Sequence, residues 1–212
     1  MRLLLVAILA LSASAFEIKE RPIIFGADRI ELTKEYIKDH YGLDRESISI
    51  VPRMVVVHYT AIDDLNRSFE AFNPQRLPGY RSDIAKASAL NVSAHFLVDR
   101  EGTIYRLMDE TKMARHVIGL NLSAIGIENV GGSGGKEELT PAQLKANIEL
   151  VNYLLNKYPT IEYLIGHYEY RKFEKSPLWL EKNPAYRTLK KDPGERFMRA
   201  LRANFPRLGK SP

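Results

Sequence analysis

Two histidines and one aspartate carry the first chemistry this sequence suggests. His58 closes the run MVVVHYT (54–60) and His167 closes IEYLIGH (161–167). Each sits at the C-terminal end of a short apolar run that reads as a buried strand. Side chains at strand ends leave the core and can face a cleft. One such histidine is most often structural, bonded at a sheet edge; two at equivalent ends suggest a shared site. Asp192, in RTLKKDPGERF (187–197), can supply a third ligand, held by the stiff Pro193–Gly194 turn that follows it. Hydrolytic zinc sites use about three protein ligands and keep one position for water. Neutral imidazoles with an ionised carboxylate suit that ion. The spacing is not compact, so the residues alone leave open two edge histidines and a solvated basic turn.

Such a triad needs a frame, and the chain between its members alternates strands with helices. Residues 16–26 read as an extended leader. DRIELTKEYIKDHYG (28–42) reads as an amphipathic helix ended by Gly42, with His40 a surface histidine without a role. DDLNRSFEAF (63–72) has a helical period, PQRLPGYR (74–81) is a loop, and SDIAKASAL (82–90) reads as a short helix. AHFLVDREGTIYRLM (94–108) reads as two strands joined at Glu101–Gly102, a hairpin signal. SAIGIENVGGSGG (123–135) is a strand entering a glycine-rich loop. That loop lacks phosphate-binding spacing and reads as flexible linkage. In TPAQLKANIELVNYLLNKYP (140–159) Thr140 caps a helix, Pro141 opens it and Gln143 completes a capping box. Its apolar residues recur at Leu144, Ile148, Val151, Leu154 and Leu155. Residues 168–189 read as a polar, aromatic loop region, and GERFMRALRANF (194–205) as a closing helix. The expected class is α/β (α+β), built around one sheet.

The bulk composition narrows the setting. A chain of 212 residues suits one domain with a real core. Its formal charge of +5 fits a carboxylate-rich partner but is too small to demand nucleic acid. MRLLLVAILALSASAF has a basic start, an apolar run too short to span a bilayer, and small residues at Ala13–Ala15. Cleavage is expected after Ala15, giving an exported protein, periplasmic or secreted, with no stable membrane insertion. There is no cysteine, hence neither a disulfide nor a lipid-anchored cysteine, which fits a bacterial envelope protein.

Six stretches then occur in a telling order: VVVHYTA, VSAHFLVDREGTIYRLMDE, ARHVIGLNLSAIGIENVGG, LTPAQLKANIELVNYLL, LIGHYEY and LKKDPGERF. Together they resemble the zinc-dependent N-acetylmuramoyl-L-alanine amidases, the group that shares its fold with peptidoglycan recognition proteins. The resemblance implies a central mixed sheet flanked by helices, with one Zn2+ ion in a surface groove at the strand ends. The likeness covers roughly residues 50–205, the expected catalytic domain; with the leader pattern this gives a signal peptide over 1–15, an N-terminal extension with a helix over 16–49 and a tail over 206–212.

Residue by residue, the resemblance makes His58, His167 and Asp192 the metal ligands. It makes Glu128, in IGIEN, the base, and Lys190 the cation that stabilises the transition state. Another branch carries a tyrosine at the position of Ala94, so this chain resembles the glutamate branch. His116, His95, Tyr59 and Asn129 are expected to contact substrate, although His95 reads equally as a satisfied core histidine. Tyr168, Tyr170 and Trp179 could stack on sugar or pack, with packing favoured for Trp179. Residues 171–188 read as an insertion or extended loop. The implied partner is peptidoglycan or a muropeptide, not nucleic acid; the sequence leaves the oligomeric state open, with a monomer favoured. A non-catalytic peptidoglycan-binding module and a different zinc hydrolase or toxin are the rival readings.

Overall fold

The frame grows from two runs that are sequestered almost throughout. In the computed structural model, which describes residues 16–79 and 87–212, MVVVHY and AIGIEN form β2 (Met54–Tyr59) and β5 (Ala124–Asn129). Strands buried on both faces belong in the middle of a parallel sheet covered on each side. β2 and β5 pair in parallel along their whole length, with His58 opposite Glu128. The full sheet has the order β1-β4-β3-β5-β2-β6. The remaining strands are β1 (Ile18–Glu20), β3 (Phe96–Val98), β4 (Ile104–Arg106) and β6 (Tyr163–Gly166). Only β3 and β4 pair antiparallel, as the expected hairpin; the other pairings are parallel. The mixed sheet is therefore as expected.

Alternation along the strands decides what each face holds. Val55, Val57, Ile125 and Ile127 enter a core with Leu150, Val151 and Leu154 of α3 (Pro141–Lys157) and Phe197, Met198 and Leu201 of α4 (Glu195–Arg202). Met54, Val56, Ala124 and Ile165 enter a second core with Val117, Ile118, Tyr170 and Phe173. His58 and Glu128 continue this second set, and His167 follows Ile165 of the same set. All three thus emerge on the face away from α3 and α4.

Helix α3 is capped as expected, with both halves of the Thr140–Gln143 capping box formed. Its buried stripe differs from the apolar one: Gln143, Ala146, Asn147, Leu150, Val151 and Leu154 face inward, while Leu144, Ile148 and Leu155 are partly buried. The two amides are buried because they bond to strand ends, Gln143 Nε2 to the Val130 carbonyl at 2.8 Å and Asn147 Nδ2 to Asn129 Oδ1 at 2.7 Å.

The N-terminal segment is woven into the same body. β1 extends the sheet beside β4, so three residues of the expected extended leader, Ile18–Glu20, form a strand. The single helix expected over 28–42 is α1 (Ala27–Tyr36) followed by a wider π-helical turn, Ile37–Tyr41, closed by Gly42. Tyr36, Ile37 and Tyr41 lie in the main core. His40 is not a surface histidine: it is 6% exposed, with Nδ1 2.8 Å from Glu181 Oε2 and Nε2 2.8 Å from the Ala87 carbonyl. Its charged neighbours in sequence point elsewhere, because the π-helical turn rotates His40 inward against Tyr36, with ring centroids 4.2 Å apart. α2 (Leu65–Phe72), capped by Asp64, closes the groove side. The leader of residues 1–15 and most of the helix expected over 82–90 lie outside the described residues. No helix among the described residues is long and apolar enough to cross a membrane.

Candidate metal centre and groove

His58 Nδ1, His167 Nδ1 and Asp192 Oδ2 form a triangle with edges of 2.9, 2.9 and 3.1 Å. All three residues are buried. Protons cannot satisfy such a figure, because each Nδ1 has one in-plane lobe and here faces two partners. Ligand atoms around a tetrahedral zinc ion at about 2.0–2.1 Å stand about 3.3 Å apart, so the triangle fits a small divalent cation. Among the described residues no other group of histidines and carboxylates converges in this way.

The surroundings fix which nitrogen of His58 is bare. His58 Nε2 lies 3.0 Å from His116 Nδ1, and His116 Nε2 lies 3.4 Å from the Ala124 carbonyl. The Ala124 oxygen can only accept, so His116 donates from Nε2 and accepts at Nδ1. His58 then donates from Nε2, and its Nδ1 keeps a free lone pair in the triangle. Such outer partners orient metal-binding histidines. The turn presenting His116 is held in its turn by Asn121, whose Oδ1 accepts from the His116 and Val117 amides while Nδ2 donates to the Tyr41 hydroxyl at 3.0 Å.

Electrostatics favours the ligand state. Burial, reinforced by the nearby His167, lowers the His58 pKa, so the ring stays neutral. Burial lowers that of His116 as well. Burial alone would raise the Asp192 carboxyl, but the His167 contact outweighs it and holds the group well below the usual carboxylate range.

Asp192 reaches the histidines although residues 171–188 intervene, because that segment is closed at its ends. The Tyr170 hydroxyl donates to the Thr188 carbonyl at 2.7 Å and accepts from the Thr188 amide at 2.9 Å. The Tyr168 amide donates to the Asp192 carbonyl at 3.2 Å. Glu169 caps the turn carrying His167 through the Gly166 amide and pairs with Arg202 of α4.

The triangle forms the floor of a groove of about 350 Å3, bordered by Tyr59, Phe72, Arg115, His116, Glu128 and Lys190. Glu128 is 8% exposed and lies beside His58 in the β2–β5 register. Lys190 is close enough for its charge to bear on His58.

The match to known proteins follows this geometry. The profile of the N-acetylmuramoyl-L-alanine amidases matches residues 48–195, well over half of the chain. The chain belongs to the N-acetylmuramoyl-L-alanine amidase family. An endolysin of Escherichia phage T7 is 37% identical over 73 residues, covering 32% of this chain and 48% of the phage protein. The chain thus spans about half the length of the curated relatives it matches. Among solved structures, an AmpD derivative superposes with a TM-score of 0.53 at 24% identity, over 89% of this chain and 94% of that one. Human PGRP-IBETAC, solved with glycosamyl muramyl pentapeptide, superposes with a TM-score of 0.52 at 17% identity, over 78% of this chain and 92% of that one. Both likenesses support the fold.

Within this amidase fold, two residues expected at the substrate stand elsewhere. Asn129 is fully buried and turned to the opposite face from Glu128, since neighbouring strand residues alternate. Its Nδ2 donates to the His58 carbonyl at 3.0 Å, so it braces β2 from behind. His95 is the satisfied core histidine: Nδ1 accepts from the Gly126 amide at 2.9 Å, and Nε2 lies 2.9 Å from the Lys112 carbonyl. Burial lowers its pKa to about 4. Tyr59 and His116 do border the groove. Trp179 packs, lying parallel to Tyr170 and under Arg187, with Gly119 against its ring. The glycine-rich loop is pinned, not a free linker: the Gly131 amide donates to the Ile62 carbonyl at 2.8 Å, and Gly132 lies under the Tyr59 ring with φ +77°.

Proposed function

We propose that this chain is a zinc-dependent amidase that hydrolyses the bond between N-acetylmuramic acid and L-alanine in peptidoglycan or muropeptides, in cell-wall remodelling or recycling. One observation carries the reading: in a member of this family, two imidazole nitrogens and a carboxylate oxygen converge at the groove floor beside a buried glutamate. His58, His167 and Asp192 would hold one zinc ion. When bound, zinc supplies Lewis acidity, which makes an amide carbonyl more electrophilic and water more acidic. Glu128 takes a proton from the attacking water and returns it to the departing L-alanine nitrogen, so that an amine leaves and not its anion. The Lys190 ammonium, on the groove wall, offsets the negative charge that develops on the carbonyl oxygen. Tyr59 and His116 border the space for the muramyl peptide. His116 also holds the His58 ring through Nε2.

The pattern of residues 1–15 supports export, to where peptidoglycan lies.

Digestion of purified peptidoglycan, followed by mass spectrometry with and without a chelator, tests the proposal. Free stem peptides, lost on chelation and restored by zinc, are expected. Binding without any new product after zinc loading would replace the enzyme by a recognition module.

A further inference from the structure

Helix α4 begins three residues after Asp192, and its N-cap, Gly194, has no side chain with which to cap it. The first-turn amides of a helix need acceptors from outside the helix. Here the acceptor is distant in sequence: Glu137 Oε1 accepts from the Phe197 amide at 2.6 Å. The Glu137 carbonyl also accepts from Arg196 Nη2 at 2.8 Å. Gly194 makes this approach possible. A Cβ on it would stand 2.3 Å from Glu137 Cγ and Cδ, and its φ of +104° suits glycine.

Glu137 lies at the far end of the loop that leaves β5 after Glu128. The near end of that loop is fixed just beyond β2, where the Gly131 amide donates to the Ile62 carbonyl, and Gly132 lies under the Tyr59 ring of β2. A side chain from the Glu128 side of the groove therefore holds the helix to which the Asp192 turn is joined. Asp192 itself is tied outside its carboxylate, among the described residues, by the hydrogen bond from the Tyr168 amide to its carbonyl, at 3.2 Å.

We propose that Glu137 is a positioning residue for the metal centre: by capping α4 it fixes the Asp192 turn relative to the Glu128 loop, and so sets the site's affinity for zinc. The proposal rests on the reading of His58, His167 and Asp192 as zinc ligands. It assigns Glu137 no contact with metal or substrate.

The test measures zinc affinity of the metal-stripped full chain by competition with a chromophoric chelator, alongside thermal unfolding of the same samples without metal. Glu137→Ala is expected to weaken zinc binding about tenfold, at the low end of the effect of outer-shell partners. Glu137→Gln keeps an oxygen facing the Phe197 amide and is expected to recover most of that affinity. Thr140→Ala, which removes the cap of α3, is the control: it lowers the melting temperature and leaves zinc affinity unchanged. An E137A variant that loses stability as T140A does, with wild-type zinc affinity, would overturn the proposal. Equal zinc defects in E137A and E137Q, or in T140A, would overturn it too. Absence of zinc binding by the wild-type chain would overturn the metal reading itself, a failure distinct from any of these.

Discussion

His40 faces two groups that can only accept, the Glu181 carboxylate and the Ala87 carbonyl, each at 2.8 Å. Both bonds are made only if the imidazole carries both protons. Burial alone would lower its pKa, but the Glu181 contact outweighs burial and the nearby Arg115, and the net shift is upward. The pair joins the end of the π-helical turn to the 171–188 segment, and both side chains are almost fully buried. At 2.8 Å and an effective dielectric of about 20, the bare attraction is about 6 kcal/mol. Desolvation offsets part of this, and losing one partner of a buried pair typically costs about 3–5 kcal/mol. We predict a loss of that order for Glu181→Gln below pH 6.5, where His40 is charged in both the folded and unfolded wild-type chain. The folded pKa is raised, so the native state holds the extra proton above pH 6.5. Wild-type stability from this pair then falls as pH rises through the folded value, at up to about 1.4 kcal/mol per pH unit. Urea denaturation of both proteins from pH 5.5 to 9 reads the difference, and subtraction removes the common contributions of the other histidines. A stability gap that stays constant or widens with pH would refute a charged His40.

The catalytic assignments give sharper outcomes. Asp192→Ala should abolish zinc binding and turnover with an unchanged circular dichroism spectrum, since the Tyr168 bond uses only the Asp192 backbone; full activity would refute the ligand role. Glu128→Gln should lower kcat by about 10²–10⁴-fold while zinc affinity, read by chelator competition, stays at the wild-type value. Gly126→Ala places a methyl 2.8 Å from His116 Nδ1, so the ring must move off His58. It should cost about 1–3 kcal/mol in chemical denaturation through overpacking, and also weaken zinc binding about tenfold through the lost outer partner.

The strands were legible because each had a local cause, whereas the triad needed the ordered set of family-like stretches as well, since its spacing alone left it open. MVVVHY and AIGIEN are continuous apolar runs, and continuous runs announce central parallel strands. Asp192 was marked by the Pro193–Gly194 turn. Facing was harder to read where a residue lies at a strand end. Asn129 and Glu128 are neighbours, and only the register that places His58 opposite Glu128 shows that one meets the groove and the other meets α3. Polar residues with distant partners left no periodic trace. Gln143 and Asn147 are buried on α3, where apolar periodicity pointed to Leu144 and Ile148. Asn121, which shapes the His116 turn, depends on Tyr41 eighty residues earlier, a partner that no local pattern names. His40 was misjudged for the same reason: its neighbours in sequence are charged, whereas its neighbours in space are Glu181 and two tyrosines.

The bonds between Tyr170 and both backbone groups of Thr188 make the stretch between them a cassette. Its mouth is sealed just outside the groove, and Trp179, Glu181 and Tyr186 anchor its interior, so only its exposed far side is open to added length. The entropic cost of lengthening a closed loop grows slowly, by about 0.6 kcal/mol per doubling. Residues 182–185 are exposed at its far side. They offer a port where a reporter or a targeting module could be spliced into the chain while the ligand triangle stays as it is.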